Sequence, residues 1–238
     1  MVDLLGERTG EMHLALASDR EDPAFSPEPF SKSYQRSVYQ SIRSLAREVF
    51  RELKGRAEEL MPLDREVLAF LAPMVSEKLG GLKIRIHGNY HLGKVLFTGK
   101  DFFITGFEGE PARSLSERRL KRSALRDVAR MLRSFDQAAW AFCQGYGHPG
   151  CGLFQDDWLA DWRKETAARF LGGYARALGP DESLQPAPRD RDNLVRVFLL
   201  ECCLHELKAT VENRAGPGAL EFAVGSILEL LRGDAGAG

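Results

Sequence analysis

The sequence predicts a mainly helical fold with one small β insert. Apolar residues recur at spacings of three and four over most of the 238 residues, which is the pattern of helices with one buried face. A single region, residues 84–106, replaces that pattern with β-branched and aromatic residues grouped around a turn. Apolar residues make up 44% and charged residues 28% of the chain, so a globular protein is expected and a disordered one is excluded.

Three helices are predicted ahead of the β insert, over 4–17, 34–59 and 63–79. A loop rich in Pro, Asp and Ser separates the first two, and Gly80-Gly81 ends the third. The second helix shows the helical spacing most clearly. Its apolar series is Val38, Ile42, Leu45, Val49 and Leu53.

The β insert is predicted to contain a hairpin. Ile84 and Ile86 alternate with charged residues, as in a strand. Val95–Phe97 and Phe102–Thr105 are apolar or β-branched, and Thr98–Asp101 forms the turn between them. Because the turns of such an insert present backbone and side chains at a cleft, we expect the chemistry of the protein there.

Four helices are predicted after the insert, over 123–144, 155–178, 190–213 and 217–231. Ser123 is a suitable N-cap for the first of them. A Gly-rich segment separates the first helix from the second, and a Pro-rich loop separates the second from the third. Residues 1–232 are therefore predicted to form one lobe, and 233–238 a flexible tail.

The charge and hydropathy of the chain exclude several classes of partner. A formal net charge of −1 gives no general attraction to nucleic acid or to an anionic membrane. No basic face with interleaved aromatic residues is visible, so nucleic-acid binding is not expected. No apolar run approaches the ~20 residues that span a bilayer, and the N-terminus lacks the basic-then-apolar order of a signal peptide. We expect no membrane association and a cytoplasmic location.

One segment carries the strongest functional signal: Arg85–Pro111 reads RIHGNYHLGKVLFTGKDFFITGFEGEP. It resembles the catalytic region of bacterial maltokinases, which often occur fused to trehalose synthase. That family reads H-G-D-x-H-x-G-Q or -N in its catalytic loop and I-D-F-E-G-E-P after the hairpin. Three further segments resemble the same family, Leu5–Ser18, Glu21–Phe30 and Leu115–Asp136. The likeness therefore covers nearly the whole chain.

The resemblance implies a fold as well as a function. Maltokinases belong to the aminoglycoside-phosphotransferase-like branch of the protein-kinase fold, so a kinase-like C-terminal lobe is expected. In that fold the N-terminal lobe supplies the loop over the phosphates and a lysine on the nucleotide. No Gly-rich strand–turn–strand and no V-A-I-K-like strand precedes the catalytic loop here. The N-terminal lobe is therefore expected to be absent.

Three positions that carry chemistry in the family differ in this sequence. The family's base Asp corresponds to Asn89, and its two metal positions correspond to Lys94 and Gly106. An amide cannot accept the substrate's proton, a lysine ammonium repels Mg²⁺, and glycine has no side chain. Two carboxylates become neutral and one amide becomes cationic, a change of +3 at these positions. The family uses ATP and Mg²⁺, but we expect no cofactor and no metal for this chain.

The resemblance and these departures predict a degenerate maltokinase-like protein, a pseudokinase. It would be a binding or regulatory module in maltose, trehalose and α-glucan metabolism. Its ligand would be maltose or a sugar phosphate, and its partner trehalose synthase or an intact maltokinase. One alternative is an active enzyme that makes maltose 1-phosphate from ATP and maltose, completed by a lobe from a partner. A second alternative is a truncated remnant without a selected role.

A sugar or anion site is predicted around the same loop, from His87, His91, Lys94, Glu108, Glu110 and Arg113. The specific expectation is an anion bound near Lys94 without Mg²⁺, and the alternative is that Lys94 pairs with Glu108. His87 is expected to pack and to bond the backbone. His91 is a candidate for lining a sugar pocket.

The acidic and basic residues that follow the hairpin allow two interpretations each. Glu108 and Glu110 either replace the missing metal ligand, or orient the loop and pair with Arg113 and Arg118. Eight basic residues between 113 and 133 form either an anion patch or a solvated helix start. They are Arg113, Arg118, Arg119, Lys121, Arg122, Arg126, Arg130 and Arg133.

Overall fold

A computed structural model describes residues 1–54, 57, 60–146, 157–179, 184 and 186–233. Most of these residues are helical, and two small antiparallel sheets complete the architecture, which confirms the predicted fold class. The chain forms two compact units, where the sequence prediction had one lobe over 1–232. The first unit consists of residues 1–30 and 80–195, and the second of residues 31–79 and 196–238.

The first unit is built on three long helices, α1 (Val2–Leu16), α6 (Leu125–Tyr146) and α7 (Asp157–Leu178). Helices α1 and α7 pack at very short range because glycines replace side chains where they cross. A Cβ on Gly6 would overlap the carbonyl oxygen of Phe170, and a Cβ on Gly173 would overlap that of Asp3. This close packing holds α1 against the helical core of the unit.

Both sheets lie in the first unit. Strand β1 (Glu28–Pro29) pairs with β2 (Leu82–Lys83), which the sequence did not predict because two-residue strands carry no detectable period. Strands β3 (Val95–Phe97) and β4 (Phe102–Ile104) form the predicted hairpin, with Leu96 opposite Phe103. The predicted strand around Ile84 is reduced to a single bridge to Arg122.

The second unit contains α2 (Lys32–Leu53), α3 (Leu63–Leu71), α4 (Pro73–Ser76) and α9 (Pro217–Arg232). The long helix α8 (Pro188–Glu212) contributes residues to both units. Gln35 ties α2 to the end of α4, because its Nε2 donates to the carbonyls of Met74 at 2.7 Å and Glu77 at 2.5 Å.

Some helix limits differ from the prediction. The helix expected over 63–79 is divided into α3 and α4, because Pro73 has no N–H to continue the helical hydrogen bonding. Helix α2 ends at Leu53, where Lys54 turns to an extended conformation. Parts of three predicted elements lie outside the described residues: the end of helix 34–59, the start of helix 155–178 and the tail beyond 233. None of the helices among the described residues is long and apolar enough to cross a bilayer.

A short α5 (Leu115–Arg118) follows the hairpin and leads into α6. Ser114 caps α5 in a capping box, since its hydroxyl accepts from the N–H of Glu117 and the Glu117 carboxylate accepts from the N–H of Ser114. The catalytic-loop segment, defined here as residues 86–94, lies between β2 and β3 and ends in a 3₁₀ turn over Leu92–Lys94. This arrangement brings the loop, the hairpin and the start of α6 together in one unit.

Candidate functional site

The catalytic-loop segment is anchored by a carboxylate from the first turn of α6. Asp127 is fully buried and accepts hydrogen bonds from the backbone N–H groups of His87 at 2.7 Å and Gly88 at 2.9 Å. A carboxylate that accepts from two adjacent N–H groups fixes the direction of that peptide segment. The backbone on both sides of residue 88 is therefore held to the helix.

Asp127 is itself contacted by a buried histidine of α1, which in turn contacts a buried tyrosine of α7. His13 Nε2 lies 3.3 Å from the Asp127 carboxylate, and His13 Nδ1 lies 3.0 Å from the Tyr174 hydroxyl. Burial raises the pKa of Tyr174, so its hydroxyl keeps its proton and can donate to Nδ1. One neutral tautomer of His13 satisfies both contacts. The sequence analysis assigned no role to this network, although polar residues on core-facing positions were a signal for it.

His87 packs inside the loop. Its Nε2 lies 2.8 Å from the carbonyl of Thr105, and its Nδ1 accepts the N–H of Asn89 at 3.3 Å. The ring is 1% exposed and stacks on Phe107 at 5.0 Å between centroids. These contacts match the expected packing role and leave little of the ring for a ligand.

His91 begins the 3₁₀ turn and is only partly buried. Its Nδ1 accepts the N–H of Gly93 at 3.2 Å. Burial lowers the pKa of His91, and the positive charges of Lys94 and Arg130 lower it further. The neutral imidazole is therefore the favoured form at this position.

Asn89, at the position of the family's base, is bound by an arginine that the sequence analysis did not connect to it. Nη1 of Arg130 donates to Oδ1 of Asn89 at 2.8 Å, to the carbonyl of Gly88 at 3.3 Å and to the Glu110 carboxylate at 3.0 Å. Both members of the Arg130–Glu110 pair are about three-quarters buried. Asn89 is thus fixed by its oxygen and presents its amide NH₂ group.

Lys94 and Gly106, which the resemblance predicts at the two metal positions, lie against each other. A Cβ on Gly106 would lie 2.7 Å from Nζ and 2.8 Å from Cδ of Lys94, so the lysine side chain fills the space that any side chain at 106 would need. Gly106 also has φ +81°, a conformation that L-residues rarely adopt. Lys94 Nζ then donates to the Glu108 carboxylate at 3.0 Å.

Each carboxylate of the site has its own cation. Glu108 is paired with Lys94 and Glu110 with Arg130, which differs from the predicted pairing with Arg113 and Arg118. A hydrogen bond from its own backbone N–H, and then Lys94, lower the pKa of Glu108. The described residues contain no cluster of three His, Cys, Asp or Glu side chains able to hold a metal.

Mg²⁺, which the resemblance implies, does not fit the side chains at positions 94 and 106. Mg²⁺ requires oxygen ligands in a near-octahedral shell. The ammonium of Lys94 occupies the space beside Gly106, and neither side chain supplies an oxygen. The pairing of Lys94 with Glu108 is the alternative that the sequence left open.

Arg113 lies apart from this cluster of paired charges, at the edge of a small cavity between the loop, α5 and α6. It shares that cavity with Glu110 of the site. Of the six side chains predicted to form one sugar or anion site, Glu110 and Arg113 line this cavity, and His87, His91, Lys94 and Glu108 do not.

No family model matches this sequence. Solved structures of glucosamine kinase are similar to this chain. Crystal form A superposes with a TM-score of 0.77 at 21% identity, and the match covers 97% of this chain and 53% of the kinase. A second, in complex with glucosamine, ADP and inorganic phosphate, gives a TM-score of 0.78 at 21% identity over 97% of this chain and 54% of the kinase. The chain therefore shares the fold of part of these structures and spans about half of their length.

Proposed function

We propose that this chain is a maltokinase-like binding or regulatory module that does not transfer phosphate. It would act in maltose, trehalose and α-glucan metabolism. The observation that carries the proposal is the Lys94 side chain, which fills the space over Gly106 and pairs with Glu108. A site of this form holds a fixed organic cation where phosphotransfer requires a divalent metal.

The loss of the base supports the same conclusion by a separate route. Asn89 has no basic lone pair for a hydroxyl proton, and its oxygen already accepts a hydrogen bond from Arg130. General-base catalysis contributes a factor of about 10²–10⁴ to an enzymatic rate. Even with a metal supplied in another way, the hydroxyl of a sugar would not be activated at this position.

The sugar class rests on two likenesses. The motifs around Asn89 resemble those of maltokinases, and the fold is that of glucosamine kinases. Asp127 anchors the catalytic-loop segment through two backbone N–H groups. The segment therefore offers a preformed surface for a sugar even without a base and a metal. Maltose or a sugar phosphate is the proposed ligand, and trehalose synthase or an intact maltokinase the proposed partner.

The decisive test is an activity assay with the purified chain, ATP, Mg²⁺ and maltose, followed by detection of maltose 1-phosphate. Glucosamine serves as a second acceptor, and an active maltokinase as the positive control. We expect no product above the blank with either sugar. Sustained turnover would overturn the proposal, and turnover that appears only when a trehalose synthase or maltokinase is added would favour an enzyme completed by a partner.

Metal binding gives an independent readout. Titration with Mn²⁺, followed by its electron paramagnetic resonance signal, is expected to show no saturable site in the native chain. The partner role is tested by measuring maltose binding in EDTA and the rate of trehalose synthase with and without the chain. The same measurements are made with maltose 1-phosphate and with an intact maltokinase. If neither sugar binds and neither enzyme's rate changes, the binding and regulatory role is excluded.

A further inference from the structure

A cluster of arginines lines one small cavity beside the catalytic-loop segment, and the proposed function does not use it. The cavity lies between the loop, α5 and the start of α6, and bare backbone at Gly88 and Gly109 forms part of its wall. Its arginines are Arg113, Arg118, Arg122, Arg126 and Arg130. They are five of the eight basic residues that the sequence places between 113 and 133.

The acidic residues of this arginine cleft are already engaged by other groups. Asp127 accepts from two backbone N–H groups, Glu117 accepts from Ser114 in the capping box, and Glu110 accepts from Arg130. Five arginines against these three carboxylates leave a formal charge of +2 on the lining. An excess of positive charge around a concave, partly enclosed space favours an anion there.

The size of the cleft limits that anion to a small one. Its volume is about 40 Å³, whereas one water molecule needs roughly 10–15 Å³ of such space. It therefore accommodates a few water molecules or a single phosphate-sized group. The arginines that line it belong to α5, to the segments before α5 and α6, and to α6 itself. Two of them also donate hydrogen bonds within the protein: Arg118 to the carbonyls of Glu108 and Arg113, and Arg130 to Glu110, Asn89 and Gly88.

We propose that the arginine cleft binds a phosphate group, either free phosphate or the phosphate of a sugar phosphate. Arginine presents a planar fork of N–H donors that matches the oxygens of phosphate, and a tetrahedral anion uses forks from several directions at once. A planar carboxylate would engage fewer of them. Lys94, whose ammonium is paired with Glu108, does not line this cleft. The cleft shares Gly88, Glu110 and Arg130 with the candidate site, but anion binding there requires neither a metal nor catalysis.

The test is calorimetry on the full chain in EDTA, without nucleotide or metal, with phosphate as the ligand. Arg113→Gln is the diagnostic variant, because the Arg113 guanidinium takes part in no hydrogen bond among the described residues, so its loss leaves the fold intact. Arg119→Gln is the matched control, since it removes the same charge from a neighbouring exposed arginine that does not line the cleft. We expect Arg113→Gln to weaken phosphate binding at least about tenfold and Arg119→Gln to leave it nearly unchanged.

Three results would overturn the assignment: no saturable phosphate binding, equal weakening by both variants, or equal affinity for acetate and phosphate. Comparison of phosphate with maltose 1-phosphate and with maltose identifies the source. Tighter binding of maltose 1-phosphate than of either component indicates a sugar phosphate, and equal binding of phosphate and maltose 1-phosphate indicates free phosphate. Because no catalysis is measured, turnover in the maltokinase assay would refute the proposed function and leave this result intact.

Discussion

The contact between Lys94 and Gly106 is tested directly by Gly106→Ala, which adds one methyl group and no charge. The added Cβ would lie 2.7 Å from Lys94 Nζ and 2.8 Å from Cδ, well inside van der Waals contact. Gly106 also has φ +81°, so alanine there carries a backbone cost as well. The two costs have to be separated before the result says anything about Lys94.

Gly99→Ala separates them, because Gly99 has φ +88° and no atom lies within 4 Å of the position that a Cβ would take there. The backbone cost of an alanine in this conformation is about 1 kcal/mol, and Gly99→Ala should show only that. Overpacking costs about 1–3 kcal/mol, and the lower end applies at 106 because a lysine side chain can move. Gly106→Ala should therefore destabilise the chain by about 2 kcal/mol.

Urea unfolding followed by tryptophan fluorescence measures these differences in the relevant unit. All three tryptophans lie in the unit that contains the hairpin: Trp140, Trp158 and Trp162. The overlap with the lysine should disappear when Lys94 is also changed to alanine. The destabilisation of Lys94→Ala/Gly106→Ala relative to Lys94→Ala should then be close to that of Gly99→Ala. Equal destabilisation by Gly106→Ala and Gly99→Ala would refute the placement of Lys94 over Gly106.

Three further outcomes are expected. Asp127→Asn should lower the free energy of unfolding in urea by about 3 kcal/mol. The reason is that an amide cannot accept from both loop N–H groups while it faces a buried imidazole. A decrease below about 1 kcal/mol would contradict the anchoring role of Asp127. Gly173→Ala should destabilise the chain by more than about 3 kcal/mol or prevent folding, because its methyl group would overlap the α1 backbone. Gly172→Ala is the control: the nearest atom to its Cβ is Arg176 Nη1 at 3.7 Å, so it should stabilise the helix by about 0.5 kcal/mol. Burial and then Lys94 lower the pKa of His91 from its ordinary 6.5. The unfolded chain therefore binds more protons at His91, and stability is lost as the pH falls below that value. In an NMR titration Lys94→Met should raise the midpoint of His91, and an unchanged midpoint would exclude an effect of the lysine.

The fold was largely predictable because its long helices carry a strong apolar period. The spacing through Val38, Ile42 and Val49 places these three residues in the core, and each is at most 3% exposed. The division of the third helix at Pro73 follows from the proline itself, which cannot donate a helical hydrogen bond. The apolar spacing continues across Pro73 and does not indicate the division. The pairing of Glu28 with Lys83 could not be predicted from the sequence, because two-residue strands depend on contacts between distant segments.

The contacts of the candidate site were not predictable from the sequence. The motifs identify Asn89 and Lys94, but the partner of Asn89 is Arg130, 41 residues further along the chain and one of eight basic residues in its segment. Nothing in the spacing distinguishes Arg130 from its neighbours. Likewise, His13 reaches Asp127 only because glycines let α1 pack closely on α7, which is a property of the packed structure.

The geometry changes how the three substituted positions relate to one another. In the sequence, Asn89, Lys94 and Gly106 are three separate departures. In the structure Lys94 fits only because residue 106 lacks a side chain, so those two changes form one packing unit, and Asn89 forms another with Arg130. An aspartate at 106 alone would meet both the positive φ and the lysine, whereas replacement of Lys94 alone leaves a space over Gly106. A carboxylate at 106 therefore requires a smaller residue at 94 as well, so these two positions are sterically coupled.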